Sequence, residues 1–336
     1  MKHFKVVVTD YPTQYDFQVE KEILAVIGAE LYTVDCRTEQ EVLDCCQDAD
    51  AVMTVYAPVG ARAVGAFSRC RIIARYGVGV DNIDIPAATR RGIVVVNVPD
   101  YCMYEVALHT VSLVLCLSRR ILILHHEVTV RHNWDVAAAK PVFRLKGQTL
   151  GLVGFGRIAQ VVADLVKGFD LSILAFDPYV NRDVAEVRGV QLVELEDLLV
   201  RSDFVSVHAP LTAETKYLIG KSELQKMKPT AFLINTARAA IVDQKVLYQA
   251  LKNGWIAGAG LDVLEEEPPK ESNPLLSLDN VVITPHAASY SIQSYQEVRE
   301  RATQEVVRVL SGKWPRPIAF LNPEVKNRVW WAKSNH

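Results

Sequence analysis

Three charged residues stand a few positions past apolar, strand-like runs in the second half of the chain. Arg238 lies in Ile234-Asn235-Thr236-Ala237-Arg238-Ala239-Ala240-Ile241-Val242-Asp243, Glu267 in Leu261-Asp262-Val263-Leu264-Glu265-Glu266-Glu267-Pro268-Pro269, and His286 in Val282-Ile283-Thr284-Pro285-His286-Ala287-Ala288. A guanidinium at a strand end suits bidentate capture of a carboxylate. A histidine backed by a carboxylate is the usual proton donor to a carbonyl under reduction. Taken singly, each has a plainer reading: Arg238 as a surface ion pair, Glu267 as part of a solvated acidic turn, His286 as a capped strand-end histidine.

A second constellation precedes these. Thr149-Leu150-Gly151-Leu152-Val153-Gly154-Phe155-Gly156-Arg157-Ile158-Ala159 reads G-x-G-x-x-A between an apolar strand and a predicted helix, Arg157–Lys167. A bare glycine pattern arises in many turns, but this context is that of a dinucleotide site. Gly154 permits the tight turn, Gly156 lets a pyrophosphate approach the backbone, and Ala159 lets helix and strand pack closely. The N–H groups of Arg157 and Ile158 and the positive end of the helix dipole face the phosphates. Asp177 ends the next strand, 21 residues after Gly156. A carboxylate there accepts hydrogen bonds from the ribose hydroxyls and repels a 2′-phosphate, so NAD(H) is expected over NADP(H). A turn or capping role beside Pro178 is the plainer alternative.

The elements that must position these groups are legible as alternating short apolar runs and amphipathic stretches. Expected strands are 5–9, 30–34, 51–56, 71–74 and 93–97, then 149–154, 172–177, 204–208, 231–235, 256–262 and 281–284. Most lack polar alternation, as strands of helix-covered parallel sheets do. Helices are expected over 243–253, closed by Gly254, and over 292–310. The alternation predicts an α/β fold. Eleven parallel strands are many for one twisted sheet, so two sheets are expected, divided by the helical region 105–126 and a polar loop at His132-Asn133-Trp134.

The 336 residues are half hydrophobic and about a quarter charged, with a net charge of −2. That excludes a disordered chain, and it argues against a general electrostatic nucleic-acid binder. The apolar run Val111–Leu117 is interrupted by Arg119 and Arg120 and falls short of the roughly 20 residues of a membrane span. No export signal is apparent at the N-terminus. The six cysteines show neither CxxC nor zinc spacing, so no metal site is expected, and reduced thiols in the cytoplasm are the expectation.

Together these segments resemble the D-isomer-specific 2-hydroxyacid dehydrogenases. The family patterns N-T-x-R-G-x-x-V-D, D-V-x-x-x-E-P and T-P-H match the segments of Arg238, Glu267 and His286 in order. The glycine fingerprint, Asp177, Ala74-Arg75-Tyr76-Gly77-Val78-Gly79-Val80-Asp81-Asn82-Ile83-Asp84 and Val207-His208-Ala209-Pro210-Leu211-Thr212 also match. The resemblance spans roughly residues 5 to 320. It implies two doubly wound parallel-sheet domains: a flavodoxin-like substrate domain of residues 1–98 and 287–336, and a Rossmann NAD domain of residues 99–286, with the active site in the cleft between. It implies a homodimer in which the helix matching 105–117 packs at the interface.

The resemblance further implies that Gly154, Gly156, Arg157, Ile158, Asp177, His208, Thr236, Ala237, Asp262 and Thr110 contact the cofactor, with Asp262 holding the nicotinamide carboxamide. By the same resemblance, Arg238 and the N–H groups of Val78 and Gly79 hold the carboxylate of a 2-keto acid, and His286, oriented by Glu267, passes a proton. Two departures stand out. Ala239 replaces the usual glycine after the arginine, and Leu108 stands where relatives commonly carry an acidic residue. The segments 97–102 and 284–291 most resemble the branch of the C-terminal-binding proteins, NAD-binding transcriptional corepressors, although Ser289 replaces their tryptophan. An NAD-responsive corepressor is therefore the alternative to a dehydrogenase.

Overall fold

The computed structural model describes residues 3–11, 16–329 and 331. It divides into two compact units, Met1–Tyr101 with Ser291–His336, and Cys102–Tyr290. In the first unit, strands β1 (Phe4–Val8), β2 (Ala29–Thr33), β3 (Ala51–Thr54), β4 (Ile72–Arg75) and β5 (Val94–Val96) form a parallel sheet in the order β2-β1-β3-β4-β5. Buried residues cover it on both faces. Val6, Val8 and Ala74 face one apolar cluster; Val7, Val52 and Ile73 face the other. This is the flavodoxin-like strand order.

The second unit holds β6 (Thr149–Val153), β7 (Ser172–Phe176), β8 (Gln191–Leu192), β9 (Phe204–Val207), β10 (Phe232–Asn235), β11 (Gly258–Leu261) and β12 (Val281–Ile283). They form a parallel sheet ordered β12-β11-β10-β9-β6-β7-β8. Strands β9, β10 and β11 are buried along their whole length, which is why they read as unbroken apolar runs. The order reverses between β6 and β9, and the carboxyl ends of those two strands form the crevice where doubly wound sheets bind ligands.

Among the described residues twelve strands form where eleven were expected. The extra one, β8, is a two-residue edge strand, too short to show any period. The helical region 105–126 is two helices, Met103–Ser118 and Ile121–Thr129, bent by 61° where Arg120 adopts a left-handed backbone. Among the described residues, no single helix is long and apolar enough to cross a membrane. The helix Ile292–Leu310 falls where it was expected and lays Val298, Ala302, Val306 and Val309 on the first sheet. Its Arg299 makes a bidentate ion pair, at 2.8 and 2.6 Å, with the fully buried Glu20 of the helix Gln18–Ala25. The segment after it is packed as well: buried Asn322 accepts from Val95 N–H and donates to Ile93 C=O, closing the edge of β5. Trp331 joins the core, whereas Trp330 and residues 332–336 lie outside the described residues.

Candidate active site

The turn after β6 sits at the switch point. Gly154 has φ +89°, and a Cβ there would lie 2.7 Å from Ala209 N, so only glycine lets the turn pass this close to the end of β9. Gly156 is the N-cap of the helix Arg157–Leu165, and no side chain caps that helix. A Cβ on Gly156 would meet nothing within 4 Å. Among the described residues no side chain caps the first N–H groups of the helix, which suits a phosphate. Ala159 is fully buried against the helix Met103–Ser118. Asp177 ends β7 beside this turn: Oδ2 accepts from Phe155 N–H at 2.8 Å and Oδ1 from Tyr179 N–H at 2.9 Å. Each oxygen keeps a lone pair for a further donor. These residues fit a dinucleotide.

His208 follows β9, with Nε2 2.9 Å from Ser206 Oγ. Burial pushes its pKa down to about 4, so the ring is neutral near pH 7. Thr236 and Ala237 follow β10. The turn they open is tied by Asn235, whose Oδ1 accepts from Ala237 N–H and whose Nδ2 donates to Arg238 C=O. Arg238 leaves this turn in extended backbone, with Nη1 donating to Ala237 C=O. Ala239 opens a right-handed 3-10 turn, where a methyl group is no handicap. Thr110 is fully buried, its hydroxyl on Thr236 Oγ1 and Val106 C=O. Leu108 is half exposed on the same helix.

Beyond β11 and β12 the chain builds a two-point support for His286. Glu267 Oε2 lies 2.7 Å from His286 Nδ1, while Oε1 accepts from Leu264 N–H. Burial pulls the Glu267 pKa upward, but the hydrogen bond and charge of His286, the Leu264 N–H and the charge of Arg238 outweigh it and hold it below the usual carboxylate range. An ionised carboxylate only accepts, so Nδ1 carries the hydrogen. His286 has φ +52°, a conformation imposed by its anchors. The principal anchor is Asp262, 2% exposed: Oδ1 accepts from Thr284 Oγ1 and Ala287 N–H, Oδ2 from Ala288 N–H, and its carbonyl accepts from His286 N–H. His109 Nε2 adds a 2.9 Å contact to Thr284 Oγ1.

Arg238, Glu267, His286, the glycine turn, Asp177 and His208 thus share the carboxyl-end side of one sheet. Val78 and Gly79 belong to the other unit, after β4. Asn235, Thr284 and His109 were not singled out from the sequence. The first two sit inside the motifs of Arg238 and His286, which was the available signal.

Comparison with known proteins agrees. Residues 111–288 match the model described as D-isomer specific 2-hydroxyacid dehydrogenase, NAD binding domain. The chain is 42% identical over 282 residues to a glyoxylate reductase of Korarchaeum cryptofilum, covering 83% of this chain and 85% of that one. It is 40% identical over 314 residues to a D-3-phosphoglycerate dehydrogenase of Methanocaldococcus jannaschii, covering 92% of this chain and 58% of that one. Among solved structures, D-lactate dehydrogenase of Aquifex aeolicus, complexed with NAD and lactic acid, superposes with a TM-score of 0.83 at 29% identity, covering 91% and 96% of the two chains.

Proposed function

Because the chain belongs to the D-isomer specific 2-hydroxyacid dehydrogenase family and is an NAD-dependent oxidoreductase, we propose that Arg238, Glu267 and His286 carry its reaction on a 2-keto acid. The observation that carries this reading is the 2.7 Å bond between His286 Nδ1 and Glu267, on the side of the sheet where Arg238 and the glycine turn lie. The relatives named are reductases and dehydrogenases, which favours this reading over a corepressor.

The dinucleotide is held by the first turn of the helix Arg157–Leu165, by Gly154 and Gly156, and by Asp177 on the adenosine ribose. When bound, its reduced nicotinamide supplies a hydride for the carbonyl carbon. Arg238 binds the substrate carboxylate, as do the N–H groups of Val78 and Gly79. His286 Nε2 delivers a proton to the developing alkoxide, and the ionised Glu267 fixes the tautomer and stabilises the imidazolium. In the oxidative direction the neutral ring takes that proton back. Asp177, at the end of β7 beside the glycine turn, supports NAD(H) over NADP(H), because a carboxylate there accepts from ribose hydroxyls and repels a 2′-phosphate.

The segment Val55-Tyr56-Ala57-Pro58-Val59 is comparable to the one in which phosphoglycerate-specific relatives often carry an arginine, and a tyrosine there supplies no charge for a phosphate, which favours an uncharged 2-keto acid side chain. Asp10 accepts from the N–H groups of Val55, Tyr56 and Ala57 and so fixes this segment, from which Tyr56 projects, 62% exposed. A second copy of the chain is the proposed partner: Tyr104 and Leu108 of the helix Met103–Ser118, where the resemblance puts the interface, are exposed, as are Ile121 and Leu122 at the start of the next helix. Steady-state NADH oxidation with glyoxylate, hydroxypyruvate, pyruvate and phenylpyruvate tests the activity. Turnover on at least one is expected. NADH binding without turnover on any of them refutes it.

A further inference from the structure

We propose that Asn97 is a positioning residue for substrate binding, whose side chain aims the Gly79 N–H at the substrate carboxylate. This rests on the assignment of the Val78 and Gly79 N–H groups to that carboxylate. Two consecutive carbonyls of the loop after β4 are pinned by the segment after β5. Gly77 C=O accepts from Val98 N–H at 2.9 Å, and Val78 C=O accepts from Asn97 Nδ2 at 2.6 Å.

In a planar trans peptide the C=O and N–H point in opposite directions. The N–H that shares a peptide with the Gly77 carbonyl belongs to Val78, and the one that shares with the Val78 carbonyl belongs to Gly79. Both are therefore turned away from residues 97–98, toward the same side. Among the described residues neither N–H has a hydrogen-bond partner, and both residues are half-buried. Adjacent N–H groups on one side of a turn make an anion-binding concavity. Gly77 makes the geometry possible: its φ is +147°, and a Cβ there would lie 1.6 Å from Arg75 Nη1.

The first anchor is backbone, available from any residue but proline. The second depends on the residue at 97. Asn97 is a poor choice for stability alone, being 6% exposed with its Oδ1 buried and accepting nothing. A buried amide with an orphaned oxygen is destabilising relative to an apolar residue of the same shape. Turning the amide over would set oxygen against the Val78 carbonyl, so the donor is committed to that one bond.

Asn97→Leu keeps the volume and removes the donor; Asn97→Ser falls short of the carbonyl. For both, KM of the best 2-keto acid and the Kd of oxamate, a non-reducible 2-keto acid mimic, on the NADH-bound enzyme should rise about tenfold, the worth of one well-placed hydrogen bond. Turnover should stay within about twofold and NADH affinity unchanged, as expected of a group acting only on carboxylate binding. The melting temperature of Asn97→Leu should hold within a few degrees. Gly79→Pro deletes the N–H itself. If Gly79→Pro raises KM and neither Asn97 variant does, the inference fails while the carboxylate assignment stands. If none raises KM, both fail. If KM rises only in step with lost thermal stability and NADH affinity, Asn97 is structural and the inference is overturned.

Discussion

Replacing Glu267 with glutamine isolates the charge in the acid–base pair. The amide oxygen can still accept from His286 Nδ1, so shape and tautomer persist while the negative charge goes. At the observed 2.7 Å, opposite unit charges attract by about 1.5 kcal/mol in water and about 6 kcal/mol at an effective dielectric of 20. The two side chains are 32% and 37% exposed, so solvent screens the pair toward the lower figure. A loss of about 1.5–3 kcal/mol, the range of a charge-assisted hydrogen bond, is the expected cost to the pair. Reduction needs the imidazolium, so its rate falls as pH rises, and in Glu267→Gln that fall should move to lower pH. Oxidation needs the neutral ring, so its rise should move down in parallel. Glu267 is held below the usual carboxylate range, so the charge removed is present across the working pH. The assay is kcat/KM against pH in both directions. Below the shifted limb the variant should recover most of the reductive rate, which general damage to the site would not allow. An active variant with an unmoved limb refutes the pairing.

His286→Ala should lower turnover by about two to four orders of magnitude while NADH, titrated by fluorescence, binds as before; near-normal turnover sinks His286 as the acid. Asp177→Ala should narrow the preference for NADH over NADPH, read as the ratio of kcat/KM values, and an unchanged ratio assigns the preference to another residue. His208 predicts a pH-dependent stability. Its folded pKa of about 4 lies below the ordinary 6.5, so between those values the unfolded chain binds more protons and stability rises with pH. The loss on acidifying from pH 6.5 to 4 is at most about 3 kcal/mol, reduced where solvent reaches the ring. His208→Gln should flatten urea-unfolding stability across that window, and an equal slope in the variant would contradict the assignment.

Much of this was legible in the chain because burial and catalysis leave different marks. Strands covered on both faces must be apolar throughout, so nine of the strands announce themselves by Val, Ile, Leu and Phe and β11 by its own small apolar run, whereas the edge strand β2, Ala-Glu-Leu-Tyr-Thr, is largely exposed and carries only a mixed pattern. β8 left none because two edge residues bury almost nothing. The expected strands overran at their ends. Residues such as Asp177, His208 and Asp262 continue the polarity pattern of a strand end but turn their side chains to neighbouring loops instead. The supporting side chains were the hardest to see. Asn235 and Thr284 act through backbone groups and carboxylates fixed only by the fold, and Asn97 does so across a loop nearly twenty residues back in sequence. Asp262, expected on the cofactor, also binds the loop that carries His286 through its carboxylate.

The bidentate pair between Glu20 and Arg299 has a consequence for how the molecule is made. The first unit is interrupted by the whole of the second, and its sheet is covered on one face by the helix Ile292–Leu310, which is translated after the second unit. Ribosomes add about 5–20 residues per second, so the roughly 190 intervening residues take on the order of 10–40 s. Throughout that interval Val6, Val8, Met53 and Ala74 lack the side chains of Val298, Ala302 and Val306 that bury them in the finished protein. Glu20 likewise waits for its guanidinium. The nascent chain therefore presents an incompletely covered apolar sheet face until the helix Ile292–Leu310 emerges, while the residues of the second unit are contiguous in sequence.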